Sequence, residues 1–171
     1  MKERVITNPL LSRTVVKRGL LISVLGILLT GPSVHFAGSS ADIVGDMTVE
    51  QLFSYHPSFQ SQYNEYRVDD GIDLKDIVDI KVVILFGTWC HDSNREVPRM
   101  LSILNKVGLA FKDISLISLD INKQEPKGRE KKLNLRNTPT FVIFRKENEI
   151  GRIIERPEKS LEEDLMNIIN R

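Results

Sequence analysis

The chain is poor in cysteine and histidine. It has one cysteine, Cys90, so no internal disulfide can form, and its three histidines stand far apart in the sequence. This composition excludes a disulfide scaffold, and we expect no metal site and no built-in cofactor, because the ligands for either are not clustered. The lone thiol is therefore either buried and inert or exposed and functional.

The first 41 residues differ in composition from the rest. Five basic residues among the first eighteen precede the apolar run Gly19–Thr30, and small residues follow up to Ala41. This order is typical of a secretory signal, and Ser39 and Ala41 suit cleavage after Ala41. The alternative is an uncleaved membrane anchor over Leu20–Ala37. Both interpretations predict an exported protein. Cleavage gives a periplasmic or secreted protein, and an uncleaved anchor gives one held at the membrane by this segment.

A strong charge of either sign is also missing. The whole chain carries a net charge of +1, with 24 basic and 23 acidic residues. Cleavage after Ala41 would remove five basic residues and Glu3, leaving 19 against 22 and a net charge of −3. Because no basic stripe remains, nucleic acid is not an expected partner.

Residues 42–78 have the pattern of a helical extension in front of the main domain. Thr48 and Gln51 fit a capping box, an apolar helical pattern follows, and a second amphipathic stretch covers Phe59 to Tyr66. Asp69-Asp70-Gly71 predicts a turn. We expect this extension to cover one face of the following domain; binding a partner is the alternative.

Residues 79–171 alternate between strand and helix patterns. The predicted order is β-α-β-α-β-β-α, with strands at Lys81–Phe86, Ile114–Ile121, Thr140–Phe144 and Ile150–Ile154, helices at Ser93–Val107, Gly128–Leu135 and from Ser160, and a hairpin turn at Glu147-Asn148. Helices between strands, followed by a hairpin, predict an α/β domain with a mixed sheet between helices.

The cysteine lies where the first of these strands passes into a helix. At a helix start, unpaired backbone N–H groups and the positive end of the dipole favour a thiolate. The dipole supplies about 0.3 to 1 kcal/mol, which is less than one pKa unit. His91 can add positive charge and Ser93 a hydrogen bond, whereas the carboxylate of Asp92 opposes the thiolate. We treat Asp92 as a solvated acid and expect a modestly lowered pKa for Cys90.

Three motifs in this part of the chain form a specific combination. Trp89-Cys90-His91-Asp92-Ser93 follows a buried strand, Pro98 lies eight residues past the cysteine, and Thr138-Pro139-Thr140 precedes a hairpin strand. Together they resemble the motifs of the thioredoxin superfamily. The resemblance covers a little over half the chain and implies a three-layer thioredoxin-like fold. It also implies a cis Pro139 beside Cys90, where Trp89, Thr138 and Pro139 would bind an extended substrate.

The sequence departs from the dithiol pattern of that superfamily. Ser93 replaces the second cysteine, Ile84 replaces a buried acid, and Arg156-Pro157 replaces a glycine-containing turn. A serine cannot resolve a mixed disulfide, so an external thiol such as glutathione would have to do so. The expectation is an exported monothiol oxidoreductase in which Cys90, His91 and Ser93 act on protein or small-molecule disulfides. The alternative is a redox-silent module that binds an extended peptide or partner protein.

Overall fold

The computed structural model of the chain describes residues 43–72 and 77–171. The segment predicted to direct export, residues 1–41, lies outside these ranges. Within them, no helix is both long enough and apolar enough to cross a membrane.

The domain is built on one five-stranded mixed sheet. Its strands are β1 (Gly45–Met47), β2 (Ile80–Phe86), β3 (Ile114–Ser118), β4 (Thr140–Arg145) and β5 (Asn148–Ile154), in the order β1-β3-β2-β4-β5. β2 and β3 are parallel and every other neighbouring pair is antiparallel. The helices are α1 (Val49–Tyr55), α2 (Pro57–Glu65), α3 (His91–Lys106), α4 (Arg129–Lys132) and α5 (Leu161–Ile169).

The central strand β2 shows why the sheet is covered on both faces. Val82, Ile84 and Phe86 point to one side and join the large core beneath the helices. Leu85 points to the other side and joins a smaller core formed with Ile117, Leu119 and Val142. Since successive side chains of a strand alternate between faces, an uninterrupted apolar run needs two cores. The predicted thioredoxin-like α/β fold, a mixed sheet flanked by helices, is confirmed.

The extension contributes to the large core. Leu52 of α1 and Phe59 of α2 are fully buried, and the Phe59 ring lies 6.1 Å from that of Phe86. The Thr48–Gln51 capping box is present in both directions. Strand β1 was not predicted, because three residues are too few to give a periodic signal.

Smaller differences lie in the connections. The hairpin turn is Lys146-Glu147, one residue earlier than predicted, and Lys146 takes a positive φ of 56°. Strand β3 ends at Ser118, three residues before the predicted end. The chain turns there because the carboxylate of Asp120 accepts the N–H groups of Asn122 and Gln124 at 2.9 and 2.8 Å.

Candidate thiol active site

Cys90 occupies the N-cap position of α3, and three residues separate it from the end of β2 at Phe86. Its own N–H donates to the carbonyl of Gly87 at 3.0 Å, and its carbonyl accepts the N–H of Asn94 at 2.9 Å. The side chain is partly exposed. The thiol lies against the segment before β4 and donates to the Thr138 carbonyl at 3.3 Å. The Thr138–Pro139 peptide bond is cis. The fold thus brings together two motifs that stand 48 residues apart.

Opposing effects act on the Cys90 thiol. Burial by itself raises the pKa, because it disfavours the charged form. Hydrogen bonds from the Thr138 side chain, from the backbone N–H and hydroxyl of Ser93, and from the backbone N–H of Asp92 lower it. The hydrogen bonds outweigh the effect of burial, so the pKa of Cys90 lies below that of an ordinary thiol. The N–H groups are those that the second and third residues of a helix leave unpaired.

Ser93 lies under the site and is fully buried. Its oxygen accepts the N–H of Gly87 at 3.3 Å, so it supports the loop between β2 and α3. A hydroxyl that accepts one bond still has a proton to donate, and here that proton can reach the sulfur. Ser93 therefore holds the backbone next to Cys90 and offers a donor to its thiolate.

Asp92 is not the solvated acid that the sequence suggested. Its side chain is only 16% exposed, and its Oδ1 accepts from Arg95 at 2.9 Å and from Arg156 at 3.2 Å. Two guanidinium groups therefore offset the charge that would oppose the thiolate. Arg156 follows 64 residues later in the chain, so no local signal in the sequence could reveal the pair. His91 is exposed at the first position of the helix.

Trp89 forms one edge of the site. Its indole N–H donates to the Leu119 carbonyl at 3.1 Å, while 39% of the residue is exposed. The ring packs over Gly87 so closely that a Cβ there would lie 2.5 Å from it. Only glycine fits beneath the indole. Ile121, two residues beyond Leu119, is 69% exposed, and sequence analysis did not identify it as a surface residue.

A chain of charges runs along α3 away from Asp92. Arg95 also contacts Glu96, which is 3% exposed, and Arg99 lies 3.7 Å from the same carboxylate. The guanidinium of Arg99 is 5.3 Å from the centre of the Tyr66 ring. The extension is thus linked by polar contacts to the helix that carries the cysteine. Among the described residues, no group of three or more His, Cys, Asp or Glu side chains could hold a metal ion.

No protein-family model matches the chain, and neither does any curated protein. Solved thioredoxins are similar to it. That of Fasciola hepatica is 19% identical over 54% of this chain and 79% of its own, with a TM-score of 0.39. Spinach chloroplast thioredoxin f is 24% identical over 54% and 69%, with a TM-score of 0.39. The Drosophila melanogaster germline thioredoxin Deadhead is 18% identical over 72% and 96%, with a TM-score of 0.40.

Proposed function

We propose that the protein is a monothiol thiol–disulfide oxidoreductase whose nucleophile is Cys90. The observation that supports this function best is the position of the sulfur. It is partly exposed at the start of α3, it touches Thr138 beside the cis Pro139, and donors that favour its thiolate surround it. A structural cysteine buried in apolar surroundings lacks such donors and has a raised pKa.

The reaction needs no cofactor. The Cys90 thiolate attacks one sulfur of a substrate disulfide, the S–S bond breaks, and the other sulfur leaves as a thiolate with the bonding electron pair. Cys90 is then part of a mixed disulfide. A second, external thiolate, such as that of glutathione, attacks this bond and releases Cys90. Ser93 cannot replace it, because a hydroxyl is a weak nucleophile and this one is fully buried.

The other predicted site residues have supporting roles in this proposal. The side-chain hydroxyls of Ser93 and Thr138 stabilise the thiolate through hydrogen bonds, whereas the Thr138 carbonyl accepts only from the protonated thiol. His91 is exposed one residue from Cys90, where a positive charge favours the thiolate. Trp89 and Pro139 flank the sulfur and form the surface against which a substrate chain lies. That substrate is a disulfide in a protein or in a small thiol.

Alkylation across pH tests the nucleophile. Iodoacetamide should modify Cys90 in the folded chain with a pH midpoint below the value of about 8.5 for a free thiol. The matched control is the same chain unfolded in urea, in which the midpoint should return to the ordinary value. Resistance of the folded protein at every pH would instead favour the redox-silent module that binds an extended peptide.

Turnover tests the reaction itself. A peptide–glutathione mixed disulfide is incubated with reduced glutathione, and the release of the peptide thiol is followed. The native chain should accelerate the release and Cys90→Ala should not. Equal rates for the two proteins would remove the enzyme proposal.

We further propose that the exchange takes place outside the cytoplasm. The support is the sequence of the first 41 residues alone: a basic start, an apolar run and small residues before Ala41. Cell fractionation locates the expressed chain, and mass spectrometry determines its N-terminus. A product that begins at Asp42 indicates cleavage, an intact product in the membrane fraction indicates an anchor, and an intact cytoplasmic product contradicts export.

A further inference from the structure

We propose that Arg156 binds a substrate carboxylate, so that the protein prefers disulfides that carry a negative charge next to the reacting sulfur. This inference rests on the proposed exchange at Cys90. It adds the class of substrate and names the residue that selects it.

The backbone holds Arg156 at the edge of the thiol site. The N–H of Glu155 donates to the Pro139 carbonyl at 2.7 Å, and Glu155 takes a positive φ of 64°. These features fix the turn after β5 against the segment that touches the sulfur. From there the guanidinium of Arg156 reaches the start of α3, where its Nη2 and Nε lie 3.2 and 3.3 Å from Oδ1 of Asp92. Asp92 is two residues from Cys90.

The ion pair is asymmetric in its exposure. The side chain of Asp92 is 16% exposed, whereas that of Arg156 is 66% exposed. Asp92 also has a second cationic partner in Arg95. An incoming substrate therefore meets the guanidinium and not the carboxylate. In the part of the chain that the structure describes, Arg156 bonds this carboxylate through Nε and Nη2, so Nη1 keeps its donors for a ligand.

Two of the acidic side chains near Arg156 accept hydrogen bonds from other residues. The Glu155 carboxylate accepts from the side-chain amide of Asn137 at 3.1 Å. The Asp164 carboxylate accepts the N–H of Glu158 at 2.6 Å. Glu158, by contrast, is exposed and lines the groove beside β5 together with Arg156. Its charge weakens the positive potential there, but the carboxylate that contacts Arg156 is that of Asp92. A guanidinium with free donors binds carboxylates through directed, charge-assisted hydrogen bonds.

Two small disulfides, one anionic and one neutral, test the preference. The full-length reduced chain is mixed with 5,5′-dithiobis(2-nitrobenzoate), which carries two carboxylates, or with 4,4′-dithiodipyridine, which is neutral. The second-order rate constant for the reaction of Cys90 is measured with each reagent. The rate constant for 5,5′-dithiobis(2-nitrobenzoate) is divided by that for 4,4′-dithiodipyridine, and this ratio is compared between variants. The ratio cancels any change in the thiolate fraction, because both reagents meet the same sulfur.

Arg156→Gln should lower the ratio about fivefold at low salt, as expected for one exposed charge contact, and Arg156→Lys should restore part of it. Raised ionic strength should reduce the ratio for the native chain and leave Arg156→Gln nearly unchanged. The matched control is Lys112→Gln, which removes one exposed positive charge just before β3, at the end of the sheet opposite Cys90. Its ratio should equal that of the native chain.

The outcomes separate this inference from the function on which it rests. A ratio unchanged in Arg156→Gln, with both reagents still reacting, overturns the carboxylate preference and leaves the exchange proposal intact. Failure of the native chain to react with either reagent removes both. Where the preference holds, glutathione disulfide and a peptide disulfide flanked by glutamate are compared with a glutamine-flanked peptide, which distinguishes a small anionic thiol from an acidic protein segment.

Discussion

The helices α1, α3, α4 and α5 of this domain differ in the group that stands at their N-terminus. In α1 and α5 the first residue outside the helix is Thr48 or Ser160, and its hydroxyl accepts the N–H three residues later at 3.1 Å in both cases. In α3 the same position is held by Cys90, whose thiol makes no such bond and instead donates to Thr138. The N–H groups of α3 thus remain available for the thiolate form.

The short helix α4 uses a carboxylate. Its cap residue is Gly128, and Glu125 reaches forward to accept the N–H of Arg129 at 2.7 Å and that of Lys127 at 3.0 Å. The Arg129 guanidinium is the main cause that lowers the pKa of Glu125 to about 2, and the backbone donors add to it. A neutral acceptor at a helix start thus stabilises the helix, whereas an ionisable one also has its pKa lowered.

The largest effect should come from giving α3 a hydroxyl cap like those of α1 and α5. In Cys90→Ser the hydroxyl can accept the N–H of Asp92 or Ser93 as an ordinary cap. We expect complete loss of disulfide exchange and a free energy of unfolding that stays equal or rises by up to about 1 kcal/mol. Exchange is followed with the peptide–glutathione disulfide and stability by urea titration.

The pH dependence of the free energy of unfolding further distinguishes cysteine from serine at position 90. The lowered pKa of the native thiol means that the unfolded chain binds more protons between the native and unfolded pKa values, so the native protein gains stability as the pH rises through that window. Cys90→Ser should lack this gain. If the free energy of unfolding changes with pH above neutrality in the same way in the native protein and in the serine variant, the pKa of Cys90 is not lowered in the folded state.

The carboxylate at α4 should give the next largest effect. The native pKa of Glu125, about 2, lies below the value of 4.5 for an unperturbed glutamate. The unfolded chain therefore takes up the proton first, and the free energy of unfolding should fall as the pH drops from about 4.5 to about 2. Glu125→Gln removes this dependence and costs about 1 to 2 kcal/mol at neutral pH. An acid transition that is the same in Glu125→Gln as in the native chain would show that folding does not lower the pKa of Glu125.

Ser93 should have a smaller effect, but on two properties at once. Ser93→Ala leaves the Gly87 N–H without its acceptor, at a cost of about 1 kcal/mol for a bond of this length, and should raise the pKa of Cys90. Ser102→Ala is the control, since this buried serine of the same helix bonds to the Tyr63 carbonyl at 3.0 Å, far from the sulfur. The control should lower stability and leave the alkylation midpoint unchanged. If both variants shift the midpoint, Ser93 does not act through the sulfur.

Much of the fold could be predicted from the sequence because its signals are local. The apolar run within Lys81–Phe86 became β2, and the helical pattern after Cys90 became α3. Thr48, predicted to cap a helix, and Ser160, from which a helix was predicted, are both N-cap residues. What was missed depends on distant partners. Strand β1 exists because β3 offers it a free edge, and three residues carry too little pattern to show this.

The site divides in the same way. The position of Cys90 at a helix start followed from the strand and helix patterns on either side of it. Its place beside Pro139 was implied by the resemblance to the thioredoxin superfamily. The pairing of Asp92 with Arg156 did not, because the two residues meet only once β5 lies next to β4. Gly87 was overlooked for the same reason: its requirement comes from the indole that folds back over it, and a lone glycine in a loop gives no such signal.

The smallest effects should come from the hydroxyl caps, and they complete the comparison of helix starts. Ser160→Ala and Thr48→Ala each remove one acceptor and should lower the free energy of unfolding by about 1 kcal/mol. Thr48→Ala should cost less, because the N–H of residue 48 can still donate to the Gln51 side chain, as it does now at 2.9 Å. Neither cap touches the thiol site, so the alkylation midpoint of Cys90 should be the same in both variants as in the native chain. A midpoint that moved with either cap would mean that the helix starts are coupled, and that the reactivity of Cys90 depends on the stability of the whole domain more than on the donors around its sulfur.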